Sequence, residues 1–153
     1  MIESIDHVNL VVRDLARMTE FYRDVLGCRL TKEVSISGTW IDEVVGLSGV
    51  EADVVYLDLP EEGPRIELIA YRSPAGVEPA VLNSPNLYGL RHLAFRVSEI
   101  DMLVSKLQSA DVKFQSEIKS VPETQVTYNG GVKKRLVYFR DPEDNLLEFC
   151  EYK

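Results

Sequence analysis

HVNLVV (7–12) and HLAFRV (92–97) are two six-residue runs, 85 residues apart, and each sets a histidine at the head of an apolar strand. The chain has only two histidines, and both stand here. Apolar alternation marks both runs as strands. Within each, residues two apart share a face, so His7, Asn9 and Val11 lie together, as do His92, Ala94 and Arg96. A single such histidine is ordinarily a core residue held by a hydrogen bond. Two of them at equivalent places ask what else repeats.

The order of elements repeats. After IDHVNLVV (5–12), Asp14 is placed to cap a helix over LARMTEFYRDVLG, whose Leu15, Met18, Phe21, Tyr22 and Leu26 fall at helical spacing before the stop at Gly27. CRLTKEVSIS (28–37), ADVVYLDLP (52–60) and PRIELIAY (64–71) read as strands, with a short helical patch, TWIDEVVGL, between the first two. In the second half LRHLAFRV (90–97) is a strand, and Ser98 with Asp101 forms a capping pattern into EIDMLVSKLQSA. VKFQSEI (112–118), VKKRLVYF and NLLEFCEY supply three further strands, the last two separated by a stop at Asp141-Pro142. Laying PRIELIAY over NLLEFCEY sets Glu67 against Glu148, 81 residues apart. The expected fold is α+β: two βαβββ modules, residues 1–75 and 88–153, forming an open, mostly antiparallel barrel within one domain of 153 residues.

Glu67 and Glu148 are each surrounded by apolar neighbours. A carboxylate buried without a partner is costly, so each should pair with an arginine of a neighbouring strand or bind a metal. Imidazoles and carboxylates together suit a divalent ion such as nickel, zinc, cobalt, manganese or iron. The joint repetition of both residue types favours metal.

Bulk properties narrow the partners. Seventeen basic against 25 acidic residues give a net charge of −8. Such a surface repels nucleic-acid backbones and anionic lipids. No apolar run is long enough to span a bilayer and no signal-peptide pattern opens the chain, so a cytoplasmic protein is expected. Cys28 and Cys150 lack metal-type spacing and are expected as small buried hydrophobes.

IDHVNLVVRDL with FYRDVLG, then IELIAY, GLRHLAFRV and YFRDPEDNLLE together resemble the vicinal-oxygen-chelate superfamily, over nearly the whole chain. That superfamily contains glyoxalase I, methylmalonyl-CoA epimerase, extradiol dioxygenases and the bleomycin and fosfomycin resistance proteins. The resemblance implies one divalent ion held by His7, Glu67, His92 and Glu148, within one chain or across a homodimer. It also implies a small-molecule substrate. A glutamate at the second ligand position is similar to glyoxalase I, which makes Glu67 and Glu148 the candidate catalytic bases in proton transfer next to a carbonyl. Val11 and Tyr71 stand where glyoxalase I usually carries the Arg and Asn that meet glutathione. Methylmalonyl-CoA epimerase ordinarily has Gln at the place of Glu67.

An extradiol-type dioxygenase is the redox alternative, since Tyr138 before Arg140-Asp141-Pro142 fits part of that motif. Its catalytic histidine would fall near Asn129 to Gly131, where none occurs. A resistance-type binding protein is the non-enzymatic alternative. Substrate contacts are assigned to Tyr138 and to Arg96, which would clamp a carboxylate or phosphate or else pair with Glu67 or Glu148. YNGGVKKR (128–135) reads as a solvated edge strand before a loop gripping an anionic tail. Trp40 and Ile41 form either a lid or a satellite hydrophobic cluster.

Overall fold

The computed structural model describes residues 1–79, 84–128 and 130–153. It divides into two compact units, Met1–Pro79 and Ala80–Lys153, each built on one four-stranded mixed sheet. The fold is α+β, and neither sheet closes on itself. Among the described residues no helix is long and apolar enough to cross a membrane.

In the first unit the strands are β1 (His7–Val11), β2 (Arg29–Ser37), β3 (Glu51–Asp58) and β4 (Arg65–Ser73), in the order β1-β4-β3-β2. β1 runs parallel to β4, and the other pairings are antiparallel. The connection from β1 is helix α1 (Leu15–Glu20), capped by the Asp14 carboxylate accepting from Arg17 N–H at 3.0 Å. Beyond Glu20 the backbone widens into a π-helical turn, Phe21–Val25, with Leu26 N–H reaching the Phe21 carbonyl. The expected helix is therefore present but changes pitch midway, which apolar spacing alone does not reveal. Gly27 then takes φ +81°, a conformation that releases the chain into β2. α1 packs across β3 and β4, and Met18, Tyr22, Leu57, Ile66 and Leu68 are buried. Helix α2 (Thr39–Val45) turns Ile41 inward and leaves Trp40 exposed.

The second unit repeats the plan with β5 (His92–Arg96), β6 (Lys119–Ser120), β7 (Lys134–Arg140) and β8 (Leu146–Tyr152), ordered β5-β8-β7-β6. Again the first strand is parallel to the last. The strand expected at VKFQSEI is reduced to one bridge, Phe114 to Phe139, followed by the two-residue β6. Phe114 meets the Phe139 ring at 5.9 Å, so its apolar character serves ring packing rather than a ladder. Phe139 and Phe149 pack with tilted rings, centroids 4.5 Å apart, among buried Ile100, Leu107, Val137 and Leu147. Each such side chain contributes roughly 1.5–3 kcal/mol through burial.

Helix α3 (Ile100–Ser109) is capped differently from the Ser98 pattern. Glu99 occupies the cap with φ +57° and makes no side-chain cap bond. Ile100 N–H instead donates to the carboxylate of Glu151 on β8, at 3.3 Å. Arg135 on β7 donates to the same carboxylate at 2.7 Å and to Asp101 at 2.6 Å, so one buried glutamate ties helix to sheet. That guanidinium, then the helix N–H, pull the Glu151 pKa down to about 2. The motif DPEDN is likewise structural. The buried Asp141 carboxylate accepts from the N–H groups of Glu143 and Asn145 and from the Asn145 amide, at 2.8–2.9 Å.

Two outcomes follow. Asp141→Ala leaves those donors without their acceptor and should cost about 3 kcal/mol, read as a lowered urea midpoint at unchanged slope. Glu151 ionises more readily folded than unfolded, so its contribution is complete above its ordinary pKa of 4.5 and fades as pH falls toward 2. The thermal midpoint of wild type should drop through that window, and Glu151→Gln should flatten the drop.

Candidate metal centre

Strand register places the functional side chains, and it does so identically in both units. Asn9 lies opposite Glu67 and Ala94 opposite Glu148, so each histidine sits diagonally from its glutamate, on the same sheet face. On the neighbouring antiparallel strand, Tyr56 is opposite Glu67 and Tyr138 opposite Glu148. Each unit therefore presents a histidine, a glutamate and a tyrosine from three adjacent strands.

In the first unit His7 Nε2 lies 3.4 Å from Glu67 Oε2. His7 Nδ1 meets Asp6 Oδ2 at 2.8 Å, and Arg65 Nη2 contacts both oxygens of Asp6 at 2.7 and 2.9 Å. The His7 contact and then the Arg65 contact hold Asp6 below the usual carboxylate range. The two ring nitrogens of His7 thus each face a carboxylate, Asp6 at Nδ1 and Glu67 at Nε2. Asn9 Nδ2 donates to Glu67 Oε2 at 2.7 Å. Tyr56 donates to the same carboxylate, and this bond, followed by burial and the carboxylate charge, pushes its pKa up to about 12.

In the second unit His92 Nε2 lies 3.2 Å from Glu148 Oε2, and the His92 ring packs on Tyr138 with centroids 5.1 Å apart. Burial, then the Glu148 charge and hydrogen bond, raise the Tyr138 pKa. Glu148 is the more enclosed carboxylate, its side chain 5% exposed against 14% for Glu67. Its Oε1 is buried with no hydrogen-bond partner, and the Lys134 ammonium stands 3.5 Å from it. The histidines are the open members, 41% exposed at His7 and 37% at His92, so neither is a core residue.

The donor set fits a divalent ion. Metal bonds to imidazole nitrogen and carboxylate oxygen are about 2.1 Å long, so adjacent ligands of one ion lie about 3 Å apart. The two His–Glu separations match that spacing, and Glu148 Oε1 is ion-paired with Lys134 but accepts no hydrogen bond. Among the described residues no three His, Cys, Asp or Glu side chains are gathered as one metal-binding group. Each unit by itself offers one imidazole and one carboxylate.

Arg96 shares the His92 face but pairs with neither candidate glutamate, lying instead over the Tyr152 ring at 5.4 Å. Lys134 and Arg135 belong to β7, engaged with Glu148, Asp101 and Glu151, rather than to a free loop. Asn129 of YNGGVKKR lies outside the described residues. Both cysteines are buried, and burial pushes the Cys28 thiol up to about 11. Sequence reading missed Tyr56, Asp6 and Asn9 as site residues. The repeat of Tyr56 with Tyr138 was a usable signal, whereas the contact of Asn9 with Glu67 depends on the parallel pairing of β1 and β4.

Comparison with known proteins gives the family. The chain belongs to the Glyoxalase/Bleomycin resistance protein/Dioxygenase superfamily, whose model matches residues 4–149. The uncharacterized protein YaeR of Escherichia coli (strain K12) is 31% identical over 152 residues, covering 98% of this chain and 97% of its own. A crystal structure of the glyoxalase family protein APC24694 from Bacillus cereus superposes with a TM-score of 0.83 at 25% identity, covering 99% of this chain and 95% of that one. The fosfomycin resistance protein FosX of Listeria monocytogenes, complexed with Mn(II) and sulfate, shares the fold at a TM-score of 0.55 and 18% identity, over 99% of this chain and 93% of its own.

The Tyr56–Glu67 bond has a spectroscopic consequence. Difference titration at 295 nm between wild type and Tyr56→Phe should show a phenol ionising near 12. Glu67→Gln removes the carboxylate charge and should bring that titration back toward the ordinary value of 10.

Proposed function

We propose that the protein is a divalent-metal-dependent lyase or isomerase that moves a proton at a carbon next to a carbonyl. His7, Glu67, His92 and Glu148 are the ligands of one ion, met within a chain or across a homodimer. The observation that carries this reading is the twofold recurrence of one imidazole nitrogen 3.2–3.4 Å from one carboxylate oxygen, each backed by a tyrosine. FosX, which shares the fold, is a precedent for Mn(II) in such a protein.

When bound, a divalent ion supplies Lewis acidity toward substrate oxygens. The chain supplies the rest. Glu67 or Glu148 takes the proton from the carbon beside the carbonyl, the electron pair shifts toward the carbonyl oxygen, and the carboxyl group returns the proton. Tyr56 and Tyr138 hold those carboxylates in place while an oxygen is free to act. Tyr138, against the His92 ring, and Arg96 on the same face are the substrate-side contacts. A small substrate of the hemithioacetal or thioester type suits this chemistry.

Metal analysis of the purified and nickel-reconstituted protein is the first test. One ion per set of four ligands is expected, and His92→Ala should lower that stoichiometry; an unchanged metal content removes His92 from the ligand set. A panel of hemithioacetals, 2-substituted acyl-CoA esters and catechols, run in deuterium oxide, then reads the reaction. Deuterium incorporated next to a carbonyl supports proton transfer, and Glu148→Gln should slow it by about 10²–10⁴-fold. Oxygen uptake with catechols would instead establish dioxygenation.

A further inference from the structure

The two units keep the same His–Glu–Tyr set but differ in what surrounds it. In the second unit Lys134 lies opposite Tyr152, and Arg96 opposite Cys150, on the His92–Glu148 face. The equivalent pairs in the first unit are Ala52 opposite Tyr71 and Val11 opposite Ile69. There the face is apolar: Ala52, Val54 and Ile69 are buried against Val34, Ile36, Tyr56 and Tyr71. Duplication retained the ligand pair in both units and placed cations in one.

Those cations are arranged around a single ring. The Arg96 guanidinium lies 5.4 Å and the Lys134 ammonium 5.5 Å from the centre of Tyr152. Cation–π attraction holds a guanidinium in place without using up its donors. Arg96 is exposed, and among the described residues no carboxylate pairs with it. Arg65, Arg72 and Arg135 each meet a carboxylate, whereas Arg96 meets the Tyr152 ring. Lys134 is 17% exposed and balances Glu148, so two cations and one carboxylate leave one positive charge in excess.

We propose that Arg96 and Lys134, set around Tyr152, form the subsite for a carboxylate of the substrate, beside the His92–Glu148 pair. This rests on the metal-centre reading above and specifies its substrate class: an acid whose carbonyl end meets the ligand residues and whose carboxylate meets Arg96. The Arg96 charge lies over the Tyr152 ring with its donors turned to no carboxylate among the described residues, and a substrate carboxylate supplies that partner. The planar guanidinium presents paired N–H donors to both carboxylate oxygens.

A matched pair of chelators tests it. Acetohydroxamate and the monohydroxamate of succinic acid carry the same metal-binding group, and only the second has a carboxylate. Calorimetric titration of nickel-loaded protein should show the succinate derivative binding about tenfold tighter, and Arg96→Gln should erase that advantage while acetohydroxamate still binds. Equal affinity of the two chelators for wild type overturns the inference and leaves the metal reading standing. Protein that takes up none of nickel, zinc, cobalt, manganese and iron overturns the metal reading instead. A titration of metal-free protein with succinate, followed at the Arg96 Nε–H resonance, then decides the inference separately. A saturable shift that Lys134→Met weakens supports it, and no shift overturns it.

Discussion

The parallel pairing of each unit's first strand with its last is the constraint on which the site depends. β1 on β4 and β5 on β8 bring residues about sixty positions apart into one ladder, with the histidine two residues out of register from its glutamate. An antiparallel strand then adds the tyrosine opposite that glutamate. A crossover through a helix is what such parallel neighbours require, and α1 and α3 supply it while covering the opposite face. The helices thus occupy one face of each sheet and leave the histidine, glutamate and tyrosine on the other.

Enclosure and charge are balanced unequally in the two halves. Glu67 is satisfied by neutral donors, Asn9 and Tyr56, and its histidine is oriented by Asp6. Glu148 is deeper, has an oxygen without a hydrogen bond, and relies on Lys134. An ion-paired carboxylate with an unsatisfied oxygen is a costly arrangement to maintain for packing alone. Structural carboxylates in the same fold look different: Glu151 and Asp141 are fully engaged by backbone and side-chain donors.

Much of this was legible in the sequence because it depends on period and repetition. Alternation in HVNLVV and HLAFRV gave the strands and the shared faces, and the 81-residue offset between Glu67 and Glu148 pointed to the duplicated set. Residues whose role comes from register across strands were not legible. Tyr56 and Asn9 become site residues only through the pairings of β3 and β1 with β4. The α3 cap was misplaced because its acceptor comes from residue 151, far along the chain, where a local motif cannot look. VKFQSEI alternates like a strand, yet Phe114 finds more by joining the Phe139–Phe149 pair than by extending a ladder.

β8 carries glutamates at 148 and 151, an odd spacing that sends them to opposite faces of one strand. One anchors helix α3 and the other faces His92. A one-residue slip would exchange their sides, stranding a charge in the aromatic core while removing the acceptor for Ile100 and Arg135. The strand therefore proofreads its own alignment: a chain that misplaces its chemistry also loses its scaffold, and misregistered molecules are removed by instability before they can exist as inactive ones.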